Sequence, residues 1–269
     1  MRHIPKKPGN EPRTWIDYRT SVSATDAAWK PVFKEADALP KDDLRHALAI
    51  EQGYLCAFCM AKLHYEYESG GGHTPTFKTR DETKVAHLQS QNAQPGIPPR
   101  TPAAEQLEKD RRWGLSMRYD NLVLACPGHT NKDADEETAV PPSLPGLPQP
   151  RKKQRTFSHC DASQVNADIV HVRLFDRAQM ARIKFGSDGT IAINDPNAQR
   201  EIDKTLALNH PSLMKRRAVI SNQLEQEFAL PGAVSKAAIR AKIAKYRRKI
   251  KGRYEAYCQV AIYTLTQFL

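Results

Sequence analysis

The chain has 269 residues, a formal net charge of +11 and a hydrophobic fraction of 40%; it can bury a core, and its charge favours a polyanionic partner. No apolar run reaches the length of a membrane span, and the opening Met1-Arg-His-Ile-Pro-Lys-Lys7 lacks the apolar stretch of a secretory signal. These features exclude a membrane role and predict a cytoplasmic protein whose five cysteines are thiols or metal ligands rather than disulfides.

In chain order, residues 1–40 read as a proline-rich arm anchored by Trp15, Ile16, Tyr18, Trp29 and Phe33. Asp42 to Gln52 predicts a helix: Asp42 or Asp43 caps it, Leu44, Leu48 and Ile50 give an apolar stripe, and Gly53 ends it. Cys56 and Cys59 follow in a tight turn. Gly70 to Gly72 begins a loop that leads to a short strand, Thr83 to Leu88, and a second polar loop runs from Ser90 to Ala104. Leu122 to Ala125 reads as a compact strand. An insertion of acidic, proline-rich and then basic residues, about 133–155, is expected to be an exposed loop, because so much proline sustains neither ladder nor helix. Ile169 to Phe175, Ala181 to Phe185 and Thr190 to Ile193 alternate like strands, with a turn at Ser187-Asp-Gly189. From Ala198 onward the chain reads as helical, with breaks near His210-Pro211 and Pro231-Gly232. Lys236 to Arg253 holds nine basic residues and no acid, which predicts a helix that gains by lying near phosphates. The organisation is thus an arm (1–40), a core (41–165) and a hairpin with a helical C-terminal region (166–269).

The cysteine pattern predicts one metal site. Cys56 and Cys59 form a C-x-x-C pair, Cys126 and Cys160 stand alone in sequence, and Cys258 is left as a buried thiol. Cys126-Pro-Gly-His129 is itself a C-x-x-H knuckle that could close the site without Cys160. Other candidates for chemistry are His87, at the end of the first short strand, Asn121, at the start of the second, and His159 and Asp161, which flank Cys160. Cleaving a phosphodiester takes a base for water and a cation for the developing charge. A small two-strand-plus-helix unit can hold both if a structural zinc supplies the core it lacks.

Three stretches carry a resemblance to HNH nucleases: Gln52-Gly-Tyr-Leu-Cys-Ala-Phe-Cys59, Lys84-Val-Ala-His87 and Tyr119-Asp-Asn-Leu-Val-Leu-Ala-Cys126. The opening Met1-Arg-His-Ile4, Cys126-Pro-Gly128, His159-Cys-Asp161, Asp188-Gly-Thr-Ile191, Leu206-Ala-Leu-Asn209 and Arg216-Arg217 look more narrowly like the PtuB family. Its members are the HNH effectors of Septu and retron-associated anti-phage systems, which work beside a PtuA-type ATPase.

The resemblance implies an α+β fold with a ββα-metal (HNH, His-Me finger) core and a zinc knuckle of Cys56, Cys59, Cys126 and Cys160. It implies His87 as general base, Asn121 as the residue that orients its ring, Asp161 as a ligand of catalytic Mg²⁺ or Mn²⁺, and His159 as a second metal or phosphate contact. It implies DNA as substrate and an ATPase as partner, and it leaves room for a homo-oligomer. Two positions depart from the family. Ala86 replaces an acidic residue before the histidine, with Asp120 or Glu82 as the nearest substitutes, and Gln164 replaces a lysine after the last zinc cysteine.

Overall fold

The computed structural model describes residues 1–7, 9–21, 41–63, 83–90, 101–131, 156–228 and 235–269, with the backbone alone at 41, 129–131, 156 and 157. The architecture is mixed α and β, with helices around small antiparallel ribbons. Arg13–Ser21 forms α1 and Lys41–Gln52 forms α2. Leu44 and Leu48, one turn apart on α2, are fully buried with Trp15 of α1, as the apolar stripe requires. Gly53 ends α2 in the left-handed region, φ 62°, where a side chain would also collide with the Tyr254 ring.

Lys84–His87 (β1) pairs antiparallel with Leu122–Ala125 (β2), with Lys84 opposite Ala125 and His87 opposite Leu122. Every residue of β2 is buried, which explains its unbroken apolar run. Between these strands lies a helix that the sequence reading missed, α3, Pro102–Met117. Its signals are present: Thr101 caps the Ala104 N–H, Pro102 occupies the first helical position, and Glu105 follows in the first turn. The preceding proline-rich stretch masked them. Trp15 Nε1 donates to the Met117 carbonyl at 3.2 Å and so ties α1 to the end of α3.

His129–Asn131 (β3) pairs with Thr156–Ser158 (β4), so the two flanks of the expected insertion are held together. The insertion itself, like Trp29, Phe33, the loop at Gly70 to Gly72 and Pro231-Gly232, lies outside the described residues. After β4 come the one-turn helices Asp161–Gln164 (α4) and Arg177–Met180 (α5), then Lys184–Phe185 (β5) and Ile191–Ala192 (β6). The turn at Ser187-Asp-Gly189 joins β5 and β6 as expected. The expected strand from Ile169 to Phe175 does not form. The Glu201 carboxylate accepts the N–H groups of Val170, His171 and Val172 at 2.7–3.0 Å, and Gln179 takes that of Arg173. These amides are satisfied by side chains, and no ladder is needed.

Pro196–Arg200 (α6) runs into a π-helical turn, Glu201–Thr205, and is followed by Pro211–Phe228 (α7), Lys236–Arg247 (α8) and Cys258–Thr266 (α9). The break falls at His210-Pro211 as predicted. The basic stretch is helical only to Arg247, because Ile250 and Arg253 pair across a tight turn. Its helix is also one-sided. Ile239 and Ile243 are buried with Leu224, Phe228, Ala261 and Leu265 in a small satellite core, and the basic side chains occupy the outer faces. Among the described residues no helix is long and apolar enough to cross a membrane.

One buried amide joins α2 to β2. Gln52 Oε1 accepts the Leu124 N–H at 2.7 Å, while Nε2 donates to the carbonyls of Leu124 and Leu55 at 2.7 and 2.8 Å. Gln52→Ala leaves these main-chain groups unpaired in the interior and is expected to cost about 2–4 kcal/mol, read as a lower urea midpoint by circular dichroism.

Candidate metal centre

The chain from Tyr54 to Leu63 folds back on itself around the first two cysteines. Leu55 bridges Lys62, Leu63 N donates to Tyr54 O at 2.9 Å, and Cys56 N donates to Ala61 O at 2.9 Å. Tyr54 and Met60 take left-handed φ values of 63° and 64° to close this knuckle. Ala57 N donates to Leu124 O at 3.0 Å, which hooks the knuckle onto β2, and Cys126 lies immediately beyond β2.

The fourth cysteine arrives from a distant part of the chain. Cys160 N donates to Leu206 O at 2.8 Å, and His159 N donates to Gly128 O at 2.7 Å. Gly128, at φ 75°, permits this approach, since a Cβ there would lie 2.3 Å from the His159 carbonyl oxygen. Cys160 itself holds φ 55° and ψ −135°, a conformation that non-glycine residues rarely adopt and that costs on the order of 1–3 kcal/mol.

The four sulfurs of Cys56, Cys59, Cys126 and Cys160 lie within 4.8 Å of one another, and all four residues are buried. Cys56 Sγ is 3.8 Å from Cys160 Sγ, and Cys59 Sγ is 3.8 Å from Cys126 Sγ. Thiolates about 2.3 Å from a tetrahedral zinc would be about 3.8 Å apart. The donor set and its spacing therefore fit a metal ion such as zinc. Burial pushes the Cys56 thiol up, but hydrogen bonds from Cys126, Cys160 and Cys59 outweigh it and hold Cys56 low, while burial drives Cys160 well up. A divalent cation lets all four ionise.

His159 is buried, with Nδ1 3.1 Å from Cys160 Sγ and 4.0 Å from Cys126 Sγ. It lies against the cysteine cluster, with this ring nitrogen toward the sulfurs. The expectation that Cys258 is a spare buried thiol agrees with the structure, where Arg2 Nη1 lies 3.6 Å from its sulfur.

His87 occupies the opposite end of the β1–β2 ribbon, four residues or about 13 Å along the strand from Cys126. It is half-buried. Burial lowers its imidazole pKa from 6.5 to about 4, opposed by a hydrogen bond to the Ser116 main chain, and among the described residues no carboxylate contributes. The expectation that Asn121 orients this ring is corrected. Asn121 Oδ1 accepts from Gln89 N at 2.7 Å, and Nδ2 donates to the carbonyls of Gln89 and Leu115, each at 3.0 Å. An asparagine before a strand finds main-chain partners, and here it clamps the turn after His87 to the end of α3.

Gln164 reaches the same turn from α4, with Nε2 2.7 Å from the His87 carbonyl oxygen. Asp161, one turn earlier on α4, has its carboxyl raised by burial, with Lys84 opposing and Cys56 adding to the rise. Lys84 pairs with Ala125, so these neighbours lie at the cysteine end of the ribbon. Ala86 is buried opposite Val123, and Asp120 is engaged by Arg118 at 2.5–2.9 Å; Glu82 lies outside the described residues. Among the described residues the four cysteines are the only group of three or more His, Cys, Asp or Glu at metal-binding distance. An open cleft of about 410 Å³ borders the turn, lined by Leu88, Gln89, Arg118, Asn121 and Arg173 among others, but not by His87.

No protein-family model matches the chain, and no curated protein matches its sequence.

Two measurements test the site. Elemental analysis of the purified chain is expected to give about one zinc per molecule. Cys160→Ala should lose the metal and most of the stability, while His129→Ala should keep both. The second concerns acid. Between pH 6.5 and about 4 the unfolded chain binds a proton at His87 that the folded chain refuses, so stability falls as pH drops through that window. The loss is at most about 3 kcal/mol, and His87→Gln should flatten the pH dependence of the melting temperature.

Proposed function

We propose that this chain is an HNH-type, metal-dependent endonuclease that cleaves DNA in a prokaryotic anti-phage system, beside an ATPase partner of the PtuA type. The observation that carries the reading is the ribbon itself. One histidine ends β1, one asparagine precedes its partner strand β2 and clamps the turn that follows the histidine, and a four-cysteine cluster closes the far end. The three stretches that resemble HNH nucleases supply both strands and three of the four cysteines, and Cys160 joins them from farther along the chain.

In this reading His87 works as a neutral imidazole, the form its burial enforces, and its ring accepts a proton from the attacking water. A hard divalent ion such as Mg²⁺ or Mn²⁺ would neutralise phosphate charge. Such an ion needs only one or two protein ligands, because phosphate oxygens and water complete its shell. Asp161 is the carboxylate the family resemblance puts forward. The exposed Arg240, Lys245, Arg247, Arg248 and Lys251, on and just after α8, would contact the DNA backbone without reading sequence.

A second reading has its own support. Ala86 offers no carboxylate, the His87 imidazole is a weak base, and the neighbouring cleft is not lined by His87. The same unit could then bind nucleic acid or a partner without cutting.

Supercoiled plasmid incubated with the protein, Mg²⁺ or Mn²⁺, ATP and the ATPase separates the two. Nicking that falls at least about 100-fold in His87→Ala, with zinc content unchanged, supports the nuclease. Salt-dependent DNA binding that His87→Ala leaves intact, with no cleavage in either protein, supports the binding module.

A further inference from the structure

Arg217, on α7, is completely buried. Its Nε donates to Gly189 O at 2.6 Å and its Nη2 to Leu208 O at 2.6 Å, while Nη1 is buried with no hydrogen-bond partner. No carboxylate of the described residues forms an ion pair with it. A guanidinium held in the interior without a counter-charge costs several kcal/mol. Two carbonyl dipoles do not offset a full charge.

The ionisable groups that favour its charged form are Tyr257, Cys59, Cys160 and Asp188. Asp188 is exposed, and its Oδ1 already accepts from the Thr190 N–H and hydroxyl. Tyr257 is buried, and burial raises its pKa to about 12, so it is neutral. That leaves two corners of the cysteine cluster. The backbone connects them as well: Leu208 receives the guanidinium, and Leu206, two residues earlier, receives the Cys160 N–H at 2.8 Å. One short loop thus seats both the arginine and the fourth cysteine.

We propose that Arg217 is the built-in counter-charge of the metal centre: its guanidinium offsets the dianion that four thiolates and one divalent zinc leave in the protein interior. The proposal rests on reading the cluster as a zinc site. Each charge then solves the other's problem. The arginine tolerates burial because the complex is negative, and the thiolates stay ionised and metal-bound because a fixed cation is seated on the loop that also holds Cys160. Arg217 is a positioning and charge-balancing residue and coordinates nothing itself.

Zinc competition with a chromophoric chelator on the full chain decides the matter, using Arg217→Gln and Arg217→Lys. Glutamine keeps a hydrogen bond and removes the charge, whereas lysine keeps the charge and loses the two-armed grip on Gly189 and Leu208. The expected result is zinc affinity about 10–100-fold weaker for Arg217→Gln and within about threefold of the parent for Arg217→Lys. Affinity unchanged in Arg217→Gln, or equally weakened in both variants, overturns the proposal and leaves the arginine as a brace for two carbonyls. Should Arg217→Gln fail to fold, Arg217→Lys alone decides, since a loss of about tenfold or more with the charge retained refutes it. A parent chain that binds no zinc at all defeats the metal reading first, and the proposal with it.

Discussion

Four sulfurs from three separate parts of the chain must meet inside the protein, and the rest of the structure is arranged so that they can. The knuckle around Cys56 and Cys59 hooks onto β2 through Ala57, β2 delivers Cys126 at its end, and Leu206 draws in the amide of Cys160. Glycine at 128 and the unusual backbone of Cys160 show how closely these segments approach. The four cysteines lie within the main apolar core, beside Phe58, Leu124 and Leu206, and a cation bound there would add a cross-link between segments that are far apart in sequence.

The same shortage of regular structure explains a second habit of the molecule. Main-chain groups that a larger sheet would satisfy are paired here by buried side-chain amides and one carboxylate. Gln52 binds Leu124 and Leu55, Asn121 binds Gln89 and Leu115, Gln164 binds His87, and Glu201 binds three successive amides. Gln52, Asn121 and Glu201 each bond through both polar atoms of the side chain, so each fixes a turn and not merely a distance. The turn after His87 is gripped by two of them, which makes the position of that histidine a property of the whole core.

Charge follows the same division between inside and outside. Buried ionisable groups are few and individually placed, as with Arg217 and the thiols, while the excess positive charge lies on outer faces such as that of α8. The interior charges bear on whether the metal centre is stable. The exterior ones govern which polyanion the protein meets and how salt affects the encounter.

Several features were legible in the chain alone, because local chemistry dictates them. The stripe of Leu44 and Leu48 makes α2, the apolar run at Leu122 makes a buried strand, His210-Pro211 breaks the helices, and cysteine spacing in a thiol-rich chain points to a metal site. What tertiary structure decided are the choices between locally equivalent partners. The tertiary fold brings Cys160 to the other three cysteines from a distant part of the chain, Ile169 to Phe175 forgoes a ladder because a distant carboxylate takes its amides, and Asn121 grips main chain in place of the imidazole. His159 turned toward sulfur for the same reason. Sequence specifies which groups need a partner, and only folding brings the competing partners within reach, where distance and burial select among them.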